Sequence, residues 1–74
     1  MLTMPAPPLD DWPGDRIAGL RKRKALTQAG MADLLGYDLA QSVSDLERER
    51  RRPSPPVRIL LDLIERDVYP EPGA

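Results

Sequence analysis

The stretch that most constrains the fold is residues 26–53, LTQAGMADLLGYDLAQSVSDLERERRRP, in which two short helical patterns meet at Gly36. Thr27 is a favourable N-cap, and the pattern after it predicts a helix over residues 28–35. The apolar face of that helix carries Met31, Ala32 and Leu35. Gly36 is expected to end the helix, because glycine adopts the left-handed conformation at the least cost.

The second pattern predicts a helix with Asp38 as its N-cap, running to about Arg50. Its inward side, together with the preceding turn, carries Tyr37, Val43 and Leu46. Its outer side carries Ala40, Gln41, Ser44, Asp45 and Arg48. Two interpretations of Gln41 stay open: its amide closes the helix start in a variant of the capping box, or it faces outward for binding.

Two further helices are predicted on either side of this stretch. The first has Asp15 as its N-cap and runs to about Lys24. The last has Ser54 as its N-cap and Pro55 at its first helical position, and it ends near Asp67. We therefore expect an all-α fold, a compact bundle of four helices, or five.

The chain divides into three parts on this interpretation: a proline-rich N-terminal arm over residues 1–14, a helical domain over 15–68, and a C-terminal tail over 69–74. Trp12 stands out in the arm. We interpret it as covering the small core rather than contacting a partner, since its large apolar face is costly to leave in water.

The last predicted helix has two apolar faces. Its core stripe consists of Val57, Leu60, Leu61, Ile64 and Val68. The opposite patch consists of Pro56, Ile59 and Leu63. So small a domain cannot bury both faces in one core, so this second patch is a candidate homodimer surface, with cover by the arm or the tail as the alternative.

Composition excludes several classes of function. Cysteine and histidine are both absent, which removes disulfides, thiolate metal sites and the usual general base. No cluster of polar residues resembles a catalytic set, so we expect no enzyme, no metal and no cofactor. Apolar runs are far shorter than the roughly 20 residues of a membrane span, and no secretory leader is evident, which favours a cytoplasmic protein without a membrane partner.

The formal net charge of −1 hides a basic centre. Residues 16–52 hold nine lysines and arginines against five acids, whereas both flanks are acidic. The basic residues form two runs, 21–24 and 48–52, at either end of the central helices. The first run also has a purely structural interpretation, because positive charge suits the C-terminal end of a helix dipole.

Two short helices joined by a brief turn that contains glycine are typical of a helix-turn-helix, whose second helix enters the major groove of DNA. At this point the sequence resembles the XRE family, the lambda Cro and repressor type. The resemblance covers about residues 16–67. Its carriers are Leu20-Arg21, Leu26-Thr27-Gln28, Met31-Ala32-x-x-Leu35-Gly36, Gln41 to Glu47, and the Arg-Arg-Pro-Ser exit at 51–54.

The resemblance implies roles for individual residues. The base-reading positions are Ala40, Gln41, Ser44 and Asp45. The DNA-backbone contacts are Gln28, Ser42, Arg48, Arg50, Arg51 and Arg52. Arg21 and Glu47 would form a structural ion pair that locks the first helix against the third.

The function so implied is a sequence-specific repressor that binds duplex DNA as a homodimer on an inverted-repeat operator, similar to short phage or mobile-element regulators. The alternative is an antitoxin that neutralises a toxin protein and regulates its own operon. The sequence departs from the family pattern in two places. Six residues separate Gly36 from Val43 where five are usual, and Glu49 replaces the usual glycine, so the third helix is expected to continue towards Arg52.

Overall fold

Four helices form the described part of the chain, residues 11–68 of a computed structural model. They are α1 (Gly14–Arg23), α2 (Gln28–Leu35), α3 (Ala40–Glu47) and α4 (Pro55–Glu65). No strand occurs within these residues, which confirms the all-α prediction for this part of the chain. The predictions for the arm before Asp11 and for the tail after Val68 lie outside the described residues.

The start of α2 is as predicted. The Thr27 hydroxyl oxygen accepts a hydrogen bond from the Gly30 N–H at 2.9 Å and so caps the helix. Ser54 is also the N-cap residue of α4, with Pro55 at the first helical position, although its side chain makes no capping hydrogen bond. α4 ends at Glu65, two residues before the predicted end.

The predicted caps of α1 and α3 are wrong. Pro13 is the N-cap residue of α1, and Asp15 lies in the first turn. In α3 the N-cap residue is Leu39, whose extended backbone places Asp38 in the preceding turn. The extra residue after Gly36 explains the second error, because the longer turn delays the start of the helix that Val43 and Leu46 anchor in the core.

All four helices end in the same way, with a left-handed residue just after the last turn. These residues are Ala25, Gly36, Glu49 and Asp67, with φ between 56° and 81°. After α3, the Arg50 N–H donates to the Asp45 carbonyl at 2.8 Å and the Glu49 N–H to that of Leu46 at 3.2 Å, the bonding of a Schellman motif. α3 therefore ends at Glu47, and its predicted continuation towards Arg52 is wrong.

The Glu49 side chain links the end of α3 to the start of α1. Its Oε1 accepts a hydrogen bond from the Gly14 N–H at 3.3 Å, across 35 residues of chain. α1 has no capping side chain of its own, since proline occupies its N-cap. A residue distant in sequence thus supplies the acceptor that Asp15 was expected to provide.

One apolar core holds the helices together. α3 packs most extensively against α2, and it also contacts α1, while α4 packs on α2. The buried core consists of Trp12, Ile17, Leu20, Met31, Ala32, Leu35, Val43, Leu46, Val57, Leu61 and Ile64. Trp12 is only 2% exposed, in agreement with its interpretation as core. Tyr37 and Leu60 are partly buried against the same cluster.

Val68 does not join the core stripe of α4. It is 53% exposed, because the helix has already ended and Asp67 turns the chain in a left-handed conformation. Among the described residues, no helix combines the length and apolar character that crossing a membrane requires.

Candidate nucleic-acid interface

The four predicted base-reading residues lie on α3, away from its buried side chains Val43 and Leu46. Gln41 is exposed, and Ala40, Ser44 and Asp45 are half-buried. This face is short, since α3 has eight residues. Only side chains in its first turns can therefore reach a ligand that approaches the N-terminal end of the helix.

Gln41 is held by Asp45, one helical turn further along α3. Its amide nitrogen donates to Asp45 Oδ1 at 3.0 Å. The capping-box interpretation of Gln41 is wrong, because Leu39 is the N-cap residue and α3 has no side-chain cap. The hydrogen bond instead restricts the amide of Gln41 and leaves its oxygen and its second N–H for a partner.

Arg21 and Glu47 form an ion pair between α1 and the end of α3, as the resemblance implied. Arg21 Nε lies 2.6 Å from Glu47 Oε2, and a second guanidinium nitrogen lies 3.2 Å from Oε1. Both side chains are largely buried, at 16% and 11% exposure. The hydrogen bond to Glu47 raises the pKa of Arg21 above its ordinary value, so this guanidinium is charged throughout the accessible pH range.

Gln28 belongs to the same network. Its amide nitrogen donates to Glu47 Oε1 at 3.3 Å, while Arg21 also donates to the Leu26 carbonyl at 3.0 Å. The first residue of α2, the end of α1 and the end of α3 are therefore tied together through one carboxylate. Gln28 is half-buried, and the network sets the orientation of its side chain at the start of α2.

The two basic runs differ in what they contact. In the first, Arg21 pairs with Glu47, Arg23 lies 3.7 Å from Glu65, and Lys24 pairs with Asp67. Three of the four residues of that run are therefore engaged within the protein, whereas Lys22 is exposed.

The second basic run is exposed. Arg48, Arg50, Arg51 and Arg52 follow α3 directly, and none has a carboxylate oxygen within 4.0 Å among the described residues. The Arg51 guanidinium lies 5.4 Å from the centre of the Tyr37 ring, within the range of a cation–π contact. Ser42, the other predicted backbone contact, is half-buried on α3.

Leu39 is a surface residue that the sequence pattern did not single out. It is 65% exposed, the most exposed large hydrophobic side chain among the described residues. It occupies an N-cap position, where Ser, Thr, Asp or Asn would stabilise the helix by roughly 1 kcal/mol. An apolar residue in the polar turn before the helix, next to Ala40 and Gln41, is the signal that could have identified it.

The second apolar patch of α4 remains accessible in part. Pro56 is exposed, Ile59 is 48% exposed, and Leu63 is half-buried. The buried side of α4 carries Val57, Leu61 and Ile64. α4 thus has one face in the core and one face that the described residues leave largely uncovered.

No group of three acidic side chains within residues 11–68 lies close enough to hold a metal ion. The arrangement offers hydrogen-bonding groups and positive charge. No family model, curated protein or solved structure matches the chain.

Proposed function

We propose that this protein binds duplex DNA in a sequence-specific manner, with α2 and α3 acting as a helix-turn-helix, and that it represses transcription as a homodimer. The observation that carries the proposal is the surface of α3. An exposed amide on Gln41, held by Asp45, lies in the first turn of α3, and an exposed run of arginines that have no carboxylate partner among residues 11–68 follows the end of the same helix.

Gln41 is the main base-reading residue in this proposal. A glutamine amide can bond adenine N6 and N7 in bidentate fashion in the major groove. Asp45 orients that amide through the 3.0 Å hydrogen bond, and as a fixed acceptor it would also favour a cytosine N4 group. Ala40 and Leu39 would contact thymine methyl groups, because both present apolar surface at the start of α3.

The DNA backbone would be held by residues after α3 and at the start of α2. Arg48, Arg50, Arg51 and Arg52 can neutralise phosphates, which supplies affinity without sequence preference. Gln28 stands at the N-terminus of α2, where unpaired N–H groups and the helix dipole favour an anion. Its bond to Glu47 keeps that side chain at the helix end.

Repression would be steric. A C₂ dimer would present two recognition helices to successive major grooves roughly 34 Å apart, and so would bind an inverted repeat. The bound dimer would then block access of RNA polymerase to that DNA. Pro56, Ile59 and Leu63 supply the proposed dimer surface on α4. An interface between copies would cover Ile59, which is 48% exposed in the single chain.

A binding selection from random duplexes tests the proposal as a whole. We expect recovery of one motif with two-fold symmetry, containing adenine and thymine where α3 enters the groove. Recovery of unrelated sequences at the frequency of a mock selection would refute sequence-specific binding. A motif without symmetry would retain DNA binding but contradict the dimer.

Replacing Gln41 with alanine should weaken binding to the selected site by about 1 to 3 kcal/mol, because a bidentate base contact is lost. Binding to random DNA should change little, since the arginines remain. Fluorescence anisotropy on both duplexes at one salt concentration measures the two losses. Equal losses on both duplexes would show that Gln41 does not read bases.

Replacing Ile59 with glutamate should convert the dimer to a monomer, because a charge in the middle of an apolar interface is costly to bury. Sedimentation equilibrium measures the change in mass. Val68→Glu is the matched control, because Val68 is 53% exposed but lies outside the patch. An Ile59→Glu variant that remains dimeric would exclude this face of α4 as the interface.

A further inference from the structure

A cleft of about 460 Å³ lies between the residues that precede α1 and the connection from α3 to α4. Its apolar lining includes Trp12, Leu46 and Pro53, and its basic lining consists of Arg51, Arg52 and Arg58. Clefts of roughly 300 to 1,000 Å³ hold small-molecule ligands in other proteins. The cleft is thus large enough for a ligand of that class.

Two buried donors on side chains that line this cleft have no acceptor. They are Trp12 Nε1 and Arg58 Nε, and they are the buried side-chain polar atoms without a hydrogen-bond partner among residues 11–68. Trp12 is 2% exposed, so its indole N–H lies within the protein. Buried donors are normally paired, because an unpaired one destabilises the fold. Two of them at one cleft indicate that the site is built for a ligand that accepts hydrogen bonds.

The charge around the cleft favours an anion. Arg51, Arg52 and Arg58 have no carboxylate oxygen within 4.0 Å among the described residues. Asp11 and Glu49 also line the cleft, so its lining carries three guanidiniums against two carboxylates, and the Glu49 carboxylate accepts from the Gly14 N–H at 3.3 Å. That N–H begins α1, a ten-residue helix whose positive dipole end therefore lies at the cleft.

We propose that the cleft binds a phosphate group, with Trp12 and Arg58 as the inner donors and Arg51 and Arg52 at the rim. Three guanidiniums suit a dianion, and their planar N–H forks match the oxygen atoms of phosphate. The group could belong to a small phosphate ester or to a nucleic-acid backbone. The proposal does not depend on sequence-specific DNA binding.

Tryptophan fluorescence gives a direct test, because Trp12 is the single tryptophan of the chain. The whole chain is titrated with ribose 5-phosphate at constant ionic strength, with ribose and sodium chloride as control titrants. We expect a saturable change with half-saturation below about 10 mM for the phosphate ester alone. A change that does not saturate, or that ribose reproduces, would overturn the proposal.

Two substitutions locate the site. Arg58→Met keeps most of the aliphatic stem and should weaken ribose 5-phosphate binding by about tenfold, since charge-assisted hydrogen bonds are lost. Lys22→Met removes one positive charge from an exposed residue that neither lines the cleft nor belongs to the proposed DNA contacts, and it should stay within about twofold of the parent. Equal weakening by both variants would indicate non-specific attraction and overturn the site.

Trp12→Phe provides a second variant that keeps the ring and removes the donor. Its binding is followed by calorimetry, after circular dichroism has shown that its helix content is retained. Loss of ribose 5-phosphate binding supports the indole N–H as a ligand, and unchanged binding by both Trp12→Phe and Arg58→Met would refute the proposal.

A short random duplex, titrated in parallel, distinguishes the source of the phosphate. If Arg58→Met weakens duplex binding more than Lys22→Met does, the site binds the nucleic-acid backbone. If Arg58→Met weakens ribose 5-phosphate binding but leaves duplex binding unchanged, the site binds a small phosphate ester.

Discussion

Replacing Gly14 with alanine is expected to destabilise the fold by about 2 to 4 kcal/mol, because α1 begins in direct contact with the end of α3. A Cβ atom at this position would lie 2.2 Å from the Glu47 carbonyl oxygen and 2.8 Å from its carbon. Both are backbone atoms, so no side-chain rotation relieves the overlap. The two helices would have to separate, and the Gly14 hydrogen bond to Glu49 would be strained as well.

Gly19→Ala is the matched control for this prediction. Gly19 lies in the same helix, but a Cβ there meets no atom within 4 Å. Alanine should therefore stabilise α1 by about 0.5 to 1 kcal/mol, since it removes the entropic cost of a glycine in a helix. Urea unfolding of both variants measures the difference. A Gly14→Ala variant as stable as the parent would contradict the close contact between α1 and α3.

The parts of the fold that were predicted correctly depend on residues close together in sequence. Thr27 and Gly36 bound α2 as expected, because a hydroxyl cap and a left-handed glycine act within one turn of the helix. The inward positions of Val43 and Leu46 followed from helical periodicity alone. These features need no knowledge of the remaining chain.

The errors at the end of α3 and at the start of α1 involve two segments that are distant in sequence. Glu49 takes the left-handed position usually given to glycine, and its carboxylate reaches the start of α1. A left-handed conformation costs a non-glycine residue roughly 1 to 2 kcal/mol, and the hydrogen bond to Gly14 offsets part of that cost. Neither the end of α3 nor the N-terminal acceptor of α1 can be derived from the neighbouring sequence.

The candidate nucleic-acid interface could also be predicted only in part from the sequence. Periodicity placed Gln41 and Asp45 on the outer side of α3, and the structure adds that they are hydrogen-bonded to each other. The resemblance implied the Arg21–Glu47 pair, but the contact of Arg23 with Glu65 was not predictable, since it depends on which side chains meet after folding. The cleft beside Trp12 also escaped prediction, because its lining comes from residues 11–14 and 46–58, which are far apart in sequence.

Replacing Glu47 with alanine should destabilise the fold by about 3 kcal/mol, because removing one partner of a largely buried ion pair leaves an uncompensated charge. Two guanidinium nitrogens of Arg21 and the amide of Gln28 would lose their acceptor together. The raised pKa of Arg21 means that its stabilising contribution is complete at every pH below the ordinary pKa of arginine. The loss should therefore be the same at pH 6 and pH 8.

Glu65→Ala is the control for Glu47→Ala, because Glu65 also accepts from arginines but is 33% exposed. Exposed ion pairs contribute at most about 1 kcal/mol, so urea unfolding should show a much smaller loss. The double variant Arg21→Met, Glu47→Leu should recover most of the stability of the parent, since apolar residues of similar volume can replace a buried pair. If the double variant is instead as unstable as Glu47→Ala, the hydrogen bonds of Glu47 also hold the packing of the helices, in addition to pairing the charge of Arg21. In that case Gln28 and the start of α2 would depend on Glu47 for their position, and every contact proposed at that helix end would depend on it as well.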